Sequence, residues 1–222
     1  MFLNRIAIAA LALMACSFTH GADDGWRSLF NGKDLDGWRA NVEPASWTVK
    51  DGAIRANATR ASSHLFYSGG QEPFERFIDF ELEVITRSEP ESNSGIFIHT
   101  DLQSQAGTGH LQTGYEIQLN STVNEKRKTG SLYAVVDLAT SPVDEREWFT
   151  VLISVRGKRI TVAVNGKQTV DYTEPENVQR PPERAGRMLN PLGGAIALQA
   201  HDPKSVFLFK SVRIHPLPPV TP

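Results

Sequence analysis

Three segments of the chain alternate apolar and polar residues with a period of two, and this pattern constrains the fold most. The first reads Gly-Tyr-Glu-Ile-Gln-Leu at 114–119. As a strand, it would turn its apolar side chains into a core and place Glu116 and Gln118 on the opposite face, about 7 Å apart. The segments 94–99 and 195–201 alternate in the same way. The three segments therefore predict neighbouring strands of one sheet.

The polar positions of these segments would form the open face of that sheet. Phe97 and His99 take the outward positions of the second segment, and Gln199 and His201 take those of the third. Carboxylate, amide, imidazole and aromatic groups on one face are typical of a sugar-binding surface. The opposite positions, Ile96, Ile117 and Leu198, are predicted to lie in the core.

The rest of the chain consists of short apolar runs separated by turn residues, with no amphipathic helix after the N-terminal segment. Hairpins are predicted at 46–56, around Asp51-Gly52, and at 159–172, around Asn165-Gly166. A loop of about twenty residues at 173–192 carries four prolines, and a loop of that length is usually functional or disordered. Other strands are predicted at 65–67, 77–87, 131–137, 148–155 and 206–215. The pattern predicts an all-β, two-sheet sandwich.

Residues 1–22 have the features of an export signal, with Arg5 near the start and an apolar run at 6–16 that is too short to span a bilayer. Cys16 is the one cysteine and follows Ala15, so it fits either a lipobox or a plain secretory signal. We therefore expect a protein exported to the periplasm or lipid-anchored to the bacterial envelope, with no disulfide in its mature domain.

Length and charge set further limits. The chain has 222 residues and a formal net charge of −2, which favours neither a nucleic-acid partner nor an anionic membrane surface. We expect one domain at 23–216, no membrane span after removal of the signal, and a disordered tail at 217–222.

Six short motifs together resemble the 3-keto-disaccharide hydrolase domain family from about residue 26 to residue 214. They are Leu-Phe-Asn-Gly-Lys-Asp-Leu-Asp-Gly-Trp at 29–38, Asn-Ser-Gly-Ile-Phe at 93–97, Gly-Tyr-Glu-Ile-Gln at 114–118, Thr-Gly-Ser-Leu-Tyr at 129–133, Glu-Trp at 147–148 and Val-Asn-Gly at 164–166. The resemblance implies a concanavalin A-like jelly roll. The chain departs from the family pattern at Phe149, at Lys210-Ser211 and at His99, where the family usually carries Asn, Arg-Asn and Arg.

The resemblance also implies a chemistry. A 3-keto group acidifies the hydrogen on C2, so a base can remove it and the glycosidic oxygen can leave C1 before water adds. Glu116, His201 and His99 are the expected acid–base residues. Enolate stabilisation could come from a bound divalent cation; no other cofactor is expected. Residues expected to bind a small-molecule carbohydrate are Asn93, Gln118, Gln199 and Tyr133.

Plainer interpretations of the same residues stay open. Asn93 could fix a turn, His201 could end a strand, Tyr133 could pack, and Glu116 could be a solvated carboxylate. The alternative function is a non-catalytic carbohydrate-binding module on the same fold.

Overall fold

A computed structural model describes residues 25–60, 62–103 and 109–220. The predicted export signal and Cys16 lie outside the described residues. Single-turn 3-10 helices occur at Pro44–Ser46 and Pro182–Arg184. The strands are β1 Arg27–Ser28, β2 Trp38–Ala40, β3 Trp47–Lys50, β4 Ala53–Ala56, β5 Ser63–Tyr67, β6 Asp79–Ser88, β7 Asn93–Thr100, β8 Tyr115–Asn120, β9 Phe149–Arg156, β10 Arg159–Val164, β11 Lys167–Thr173, β12 Ala195–Ala200 and β13 Phe207–Leu217.

The strands form two antiparallel sheets. The eight-stranded sheet has the order β11-β10-β9-β6-β13-β4-β3, with β1 paired to β13, and the five-stranded sheet has the order β2-β5-β12-β7-β8. The three alternating segments, β7, β8 and β12, lie side by side in the five-stranded sheet. The predicted all-β, two-sheet antiparallel sandwich is confirmed.

The main core lies between the sheets, as the alternation predicts. Ile96, Ile117 and Leu198 are fully buried there, together with Phe80 from β6. Ile78 is an exception, because β6 begins only at Asp79 and the side chain of Ile78 is 38% exposed. Alternation in the predicted strand at 77–87 places Ile78 inward together with Phe80, and for Ile78 this orientation is wrong.

Both predicted hairpins form. Asp51 and Gly52 have φ values of 51° and 74°, and Asn165 and Gly166 have values of 47° and 76°. Two consecutive positive φ values match the twist of the flanking strands, and this is why Asx-Gly pairs are favoured in such turns.

The predicted strand at 131–137 is absent. Ala134 has a φ of 59°, and the amide of Leu132 donates to the carbonyl of Val136 (3.0 Å), so the segment turns back on itself. Its first residues still cover the outer edge of β8. Gln118 N donates to the carbonyl of Ser131, and Tyr133 N donates to the carbonyl of Glu116, both at 2.9 Å.

The C-terminal segment differs from the predicted tail. β13 continues to Leu217, and the amide of Val220 donates to Oδ2 of Asp79 (2.8 Å). The described part of the chain contains no helix with the length and apolarity needed to cross a membrane.

Candidate active site

A cleft of about 220 Å³ lies on the face of the five-stranded sheet that points away from the core. Six of the seven sequence-predicted site residues line it, and His99 does not. The lining residues are Asn93, His110, Leu111, Gln112, Glu116, Gln118, Glu125, Tyr133, Glu183, Arg184, Arg187, Gln199 and His201.

This face is less open than the alternation predicts. A second apolar cluster covers part of it, with Phe97 packed against Phe66, Phe74 and Leu111. Phe97 is therefore buried and offers no exposed platform to a sugar. Residues 110–112 before β8 and residues 183, 184 and 187 after β11 line the cleft beside this cluster. The polar residues Gln118 and Gln199 at the bottom of the cleft are buried as well. Two-residue alternation identifies the side of a sheet, but it does not reveal what packs on that side.

Glu116 is the buried carboxylate of the cleft, with a side chain 10% exposed. The space for it comes from Gly95 on β7, because a Cβ at that position would lie 2.7 Å from Oε1 of Glu116. Burial raises the pKa of Glu116, while the charges of Arg187 and His201 oppose this effect. The arrangement gives a carboxylate of increased basicity.

Arg187 is the cation nearest to this carboxylate. Its Nη2 lies 3.9 Å from Oε2 of Glu116, and its side chain is 14% exposed. Its Nη1 is buried and has no hydrogen-bond partner among the described residues. A buried guanidinium N–H without a partner is costly, and such groups mark places where a ligand atom binds.

The loop between β11 and β12 holds Arg187 in place. The carbonyl of Arg187 accepts a hydrogen bond from Nε of Arg180 (3.1 Å). Nη2 of Arg180 in turn donates to the hydroxyls of Tyr115 (3.0 Å) and Tyr172 (2.9 Å). Glu174 accepts from the Tyr115 hydroxyl at 2.5 Å and from the amide of Leu189 at 2.8 Å. The long loop predicted at 173–192 is thus ordered and fastened to β8 and β11.

Two amide side chains at the bottom of the cleft present unpartnered acceptors. Nε2 of Gln118 donates to Oδ1 of Asn93 (3.2 Å), and Oε1 of Gln118 has no partner among the residues that the structure describes. Oε1 of Gln199 is also buried without a partner among the described residues. Both acceptors are suited to hydroxyl donors of a sugar. Nε2 of Gln199 lies 3.4 Å from Nε2 of His64. Burial strongly lowers the pKa of His64, so its imidazole is neutral.

His201 lines the cleft just after the end of β12 and is paired with Asp202. Its Nδ1 lies 2.8 Å from Oδ2 of Asp202, which also accepts from Oγ of Ser205 (2.8 Å). Burial alone would raise the pKa of Asp202, but these hydrogen bonds outweigh it and lower the pKa. An ionised Asp202 holds the proton on Nδ1 and leaves Nε2 of His201 to exchange a proton. The ring of His110 lies 6.0 Å from that of His201.

His99 does not belong to the cleft, and its predicted place on the open face is wrong. Its φ of 52° interrupts the strand alternation and turns the ring toward Phe80 in the core, 6.0 Å away. Nε2 lies 2.8 Å from the carbonyl of Ile78, and Nδ1 lies 3.2 Å from the amide of Asn190. Desolvation lowers the pKa of His99, and the imidazole links the backbone segments of Ile78 and Asn190.

Tyr133 lines the cleft between two cations. The guanidinium carbons of Arg127 and Arg184 lie 4.7 and 4.9 Å from its ring centroid. Cation–π contacts of this kind fix the ring at the rim of the cleft. In the described part of the chain, no group of three or more His, Cys, Asp or Glu side chains is arranged to hold a metal ion.

Sequence reasoning missed Arg187, Arg184, His110 and His64. The first two lie in the long loop, whose length and prolines singled it out without indicating which side chains point toward the sheet. His64 lies on β5 and aligns with Gln199 only through strand pairing. A contact of that kind follows from the topology of the sheet and not from local sequence.

The two antiparallel sheets define a jelly-roll sandwich of the concanavalin A-like type. A crystal structure of a candidate glycosyl hydrolase from Parabacteroides distasonis has a TM-score of 0.71 and 22% identity, covering 87% of this chain and 94% of that one. The carbohydrate-binding module CBM66 from Bacillus subtilis has a TM-score of 0.53 and 12% identity, covering 80% and 94%. These likenesses confirm the fold.

Residues 25–215 match the 3-keto-alpha-glucoside-1,2-lyase-like domain, and the chain belongs to this family. A 3-keto-disaccharide hydrolase of Bacteroides thetaiotaomicron is 36% identical over 78 residues, which make up 33% of this chain and 27% of that protein. The match thus spans about a quarter of the length of the curated relative. The family predicted from the six motifs is confirmed.

Proposed function

We propose that this protein cleaves the glycosidic bond of 3-keto-disaccharides or related 3-keto-glycosides by elimination followed by hydration. The observation that carries the proposal is the buried carboxylate of Glu116 beside the guanidinium of Arg187, whose Nη1 has no hydrogen-bond partner among the described residues. Family membership and the name of the Bacteroides relative support the substrate class.

Glu116 is the proposed base. Its raised pKa brings the carboxylate closer to the basicity needed to remove the C2 proton of a 3-keto sugar. Its burial also keeps water from competing for the carboxylate. The proton moves from C2 to Glu116, and the electron pair of the C–H bond moves toward the 3-keto oxygen to form an enolate.

Arg187 is the proposed stabiliser of that enolate. An N–H that is already desolvated and lacks a partner gains most when negative charge develops opposite it. The guanidinium could therefore take the place of the divalent cation that the resemblance left open. The unpartnered Oε1 atoms of Gln118 and Gln199 would accept hydrogen bonds from hydroxyls of the same sugar ring.

His201 is the proposed acid. Collapse of the enolate breaks the C1–O bond, and the leaving oxygen takes a proton from Nε2 of His201. Water then adds across the resulting C1–C2 double bond: its hydroxyl bonds to C1, its released proton goes to Nε2 of His201, and Glu116 returns its proton to C2. The sum is one water consumed and one glycosidic bond cleaved, and Glu116 and His201 return to their initial protonation states.

Incubation of the protein with 3-keto-trehalose and, separately, with trehalose tests the proposal. We expect glucose release from the 3-keto sugar alone, because only the ketone acidifies the C2 hydrogen. Deuterium at C2 of 3-keto-trehalose should slow release, since the C–H bond breaks in the first step. Binding of the 3-keto sugar without turnover would instead establish a carbohydrate-binding module.

The place of action is a further part of the proposal. We expect the export signal at 1–22 to direct the protein to the bacterial envelope. Expression of the full chain and of a Cys16→Ser variant, followed by fractionation, tests this. Membrane association that Cys16→Ser abolishes would establish lipid anchoring, and recovery of both forms in the periplasm would establish a soluble exported protein.

A further inference from the structure

A second cleft, of about 320 Å³, lies on the outer face of the eight-stranded sheet. Its floor follows one cross-strand row, in which Arg55 on β4 pairs with Leu208 on β13, and Leu208 pairs with Arg87 on β6. Neighbouring strands are about 4.8 Å apart, so the two arginines start about 10 Å apart on either side of an apolar residue. The row thus places one cationic side chain on each side of an apolar residue.

Trp148 borders this cleft and is 38% exposed. The guanidinium carbon of Arg87 lies 5.0 Å from its ring centroid, and Nζ of Lys210 lies 5.6 Å from it. An exposed indole between cations combines an apolar surface with positive charge. These contacts also hold Arg87 at the wall of the cleft.

The charges of the cleft are mainly positive and largely unpaired. Its walls carry Lys50, Arg55, Arg87 and Arg146 against Asp51 and Glu89. Arg146 pairs with Asp144, whereas the other three cations and Lys210 form no ion pair with any residue that the structure describes.

Two other outward arginines of the same sheet are neutralised by carboxylates. Arg213 pairs with Glu83 directly across β13 and β6 at 2.9 Å, and Arg159 pairs with Asp171 across β10 and β11 at 2.7 Å. The second cleft thus gathers several cations without ion pairs, in a chain whose formal net charge is −2.

We propose that this cleft is a second carbohydrate site that binds acidic saccharides. A uronate carboxylate would lie between Arg55 and Arg87, and the sugar ring would rest on Leu208 and the exposed part of Trp148. The site lies on the other sheet from Glu116 and is independent of the proposed reaction. It would hold the protein on acidic polysaccharide without occupying the first cleft.

Titration calorimetry with tri-galacturonate, maltotriose and inorganic phosphate tests this assignment. We expect tri-galacturonate to bind at least tenfold more tightly than either of the others. The double variant Arg55→Gln/Arg87→Gln should weaken tri-galacturonate binding about tenfold or more, because each substitution removes a charge-assisted hydrogen bond to the ligand. The matched double variant Arg159→Gln/Arg213→Gln should not weaken it, although it removes the same charge from the same sheet.

A third variant distinguishes the two clefts. Arg187→Met should leave tri-galacturonate binding unchanged if the ligand lies on the outer sheet. No binding of tri-galacturonate, equal binding of phosphate or maltotriose, equal loss in the two double variants, or loss on Arg187→Met would each overturn the proposal.

Discussion

Gly95 and Glu116 lie on neighbouring strands, and the carboxylate of Glu116 occupies the space that a side chain at position 95 would fill. A Cβ at residue 95 would lie 2.7 Å from Oε1 and 3.0 Å from Cγ of Glu116. Gly95→Ala should therefore displace the carboxylate from the cleft. We expect a loss of about 10²-fold in kcat/KM on 3-keto-trehalose, measured by glucose release, because small misplacement of a reacting group is costly.

The double variant Gly95→Ala/Glu116→Gln is the control for that prediction. If Gly95 acts by placing Glu116, the double variant should be no less active than Glu116→Gln alone. Additive losses would show that Gly95→Ala acts through the strand itself.

Arg187 should affect the chemical step more than binding. Arg187→Met removes the charge and keeps much of the bulk, so we expect kcat to fall about 10²–10³-fold, as with loss of one donor to a developing oxyanion. Arg187→Lys should recover part of that loss. Arg184→Met on the same loop, which contacts Tyr133 rather than Glu116, is the matched control. Equal kcat losses for Arg184→Met and Arg187→Met would contradict a specific role for Arg187.

Glu116 should make stability depend on pH. Burial raises its folded-state pKa above the ordinary value of 4.5, so the folded state binds the proton more tightly than the unfolded chain does. The folded state therefore loses stability as the pH rises from about 4.5 through the raised pKa. Each pH unit by which the folded-state pKa exceeds 4.5 corresponds to about 1.4 kcal/mol in the free energy of unfolding. The glutamine of Glu116→Gln is neutral at every pH, so this variant should have a larger free energy of unfolding than the wild type at pH 7. At pH 4 the two proteins should differ less, because Glu116 is then largely protonated. Urea denaturation at both pH values measures the difference, and an equal difference at the two would contradict the expected titration.

Ile117→Ala should destabilise the fold by about 2–5 kcal/mol, because Ile117 is fully buried between the sheets on a strand adjacent to β7. Urea titration of this variant beside Glu116→Gln compares adjacent residues on opposite faces. Equal destabilisation by the two would contradict the register of β8.

The fold could be predicted from the sequence because its strands and hairpin turns depend on residues that are close together in the chain. Alternation in β7, β8 and β12 identified the core side, and Asp51-Gly52 and Asn165-Gly166 specified their own turns. The predictions were wrong where a single residue with a positive φ interrupted the two-residue alternation of a strand. The positive φ of His99 turned its ring into the core, and that of Ala134 replaced a strand with a turn.

The candidate site was predicted in part for the same reason. Glu116, Gln118 and Gln199 could be assigned to one face from two-residue alternation alone. Arg187 could not, because its position depends on contacts of a long loop with Tyr115 and Tyr172 that are remote in sequence. Burial of Glu116 likewise follows from the loops above the sheet.

The central claim is that Glu116 removes the C2 proton, and the initial rate of glucose release from 3-keto-trehalose by Glu116→Gln tests it most directly. Glutamine keeps the shape of the side chain but cannot accept the proton, so we predict a loss of about 10²–10⁴-fold in kcat with the fold and most of the substrate affinity retained. A Glu116→Gln protein that releases glucose at the wild-type rate would contradict the mechanism.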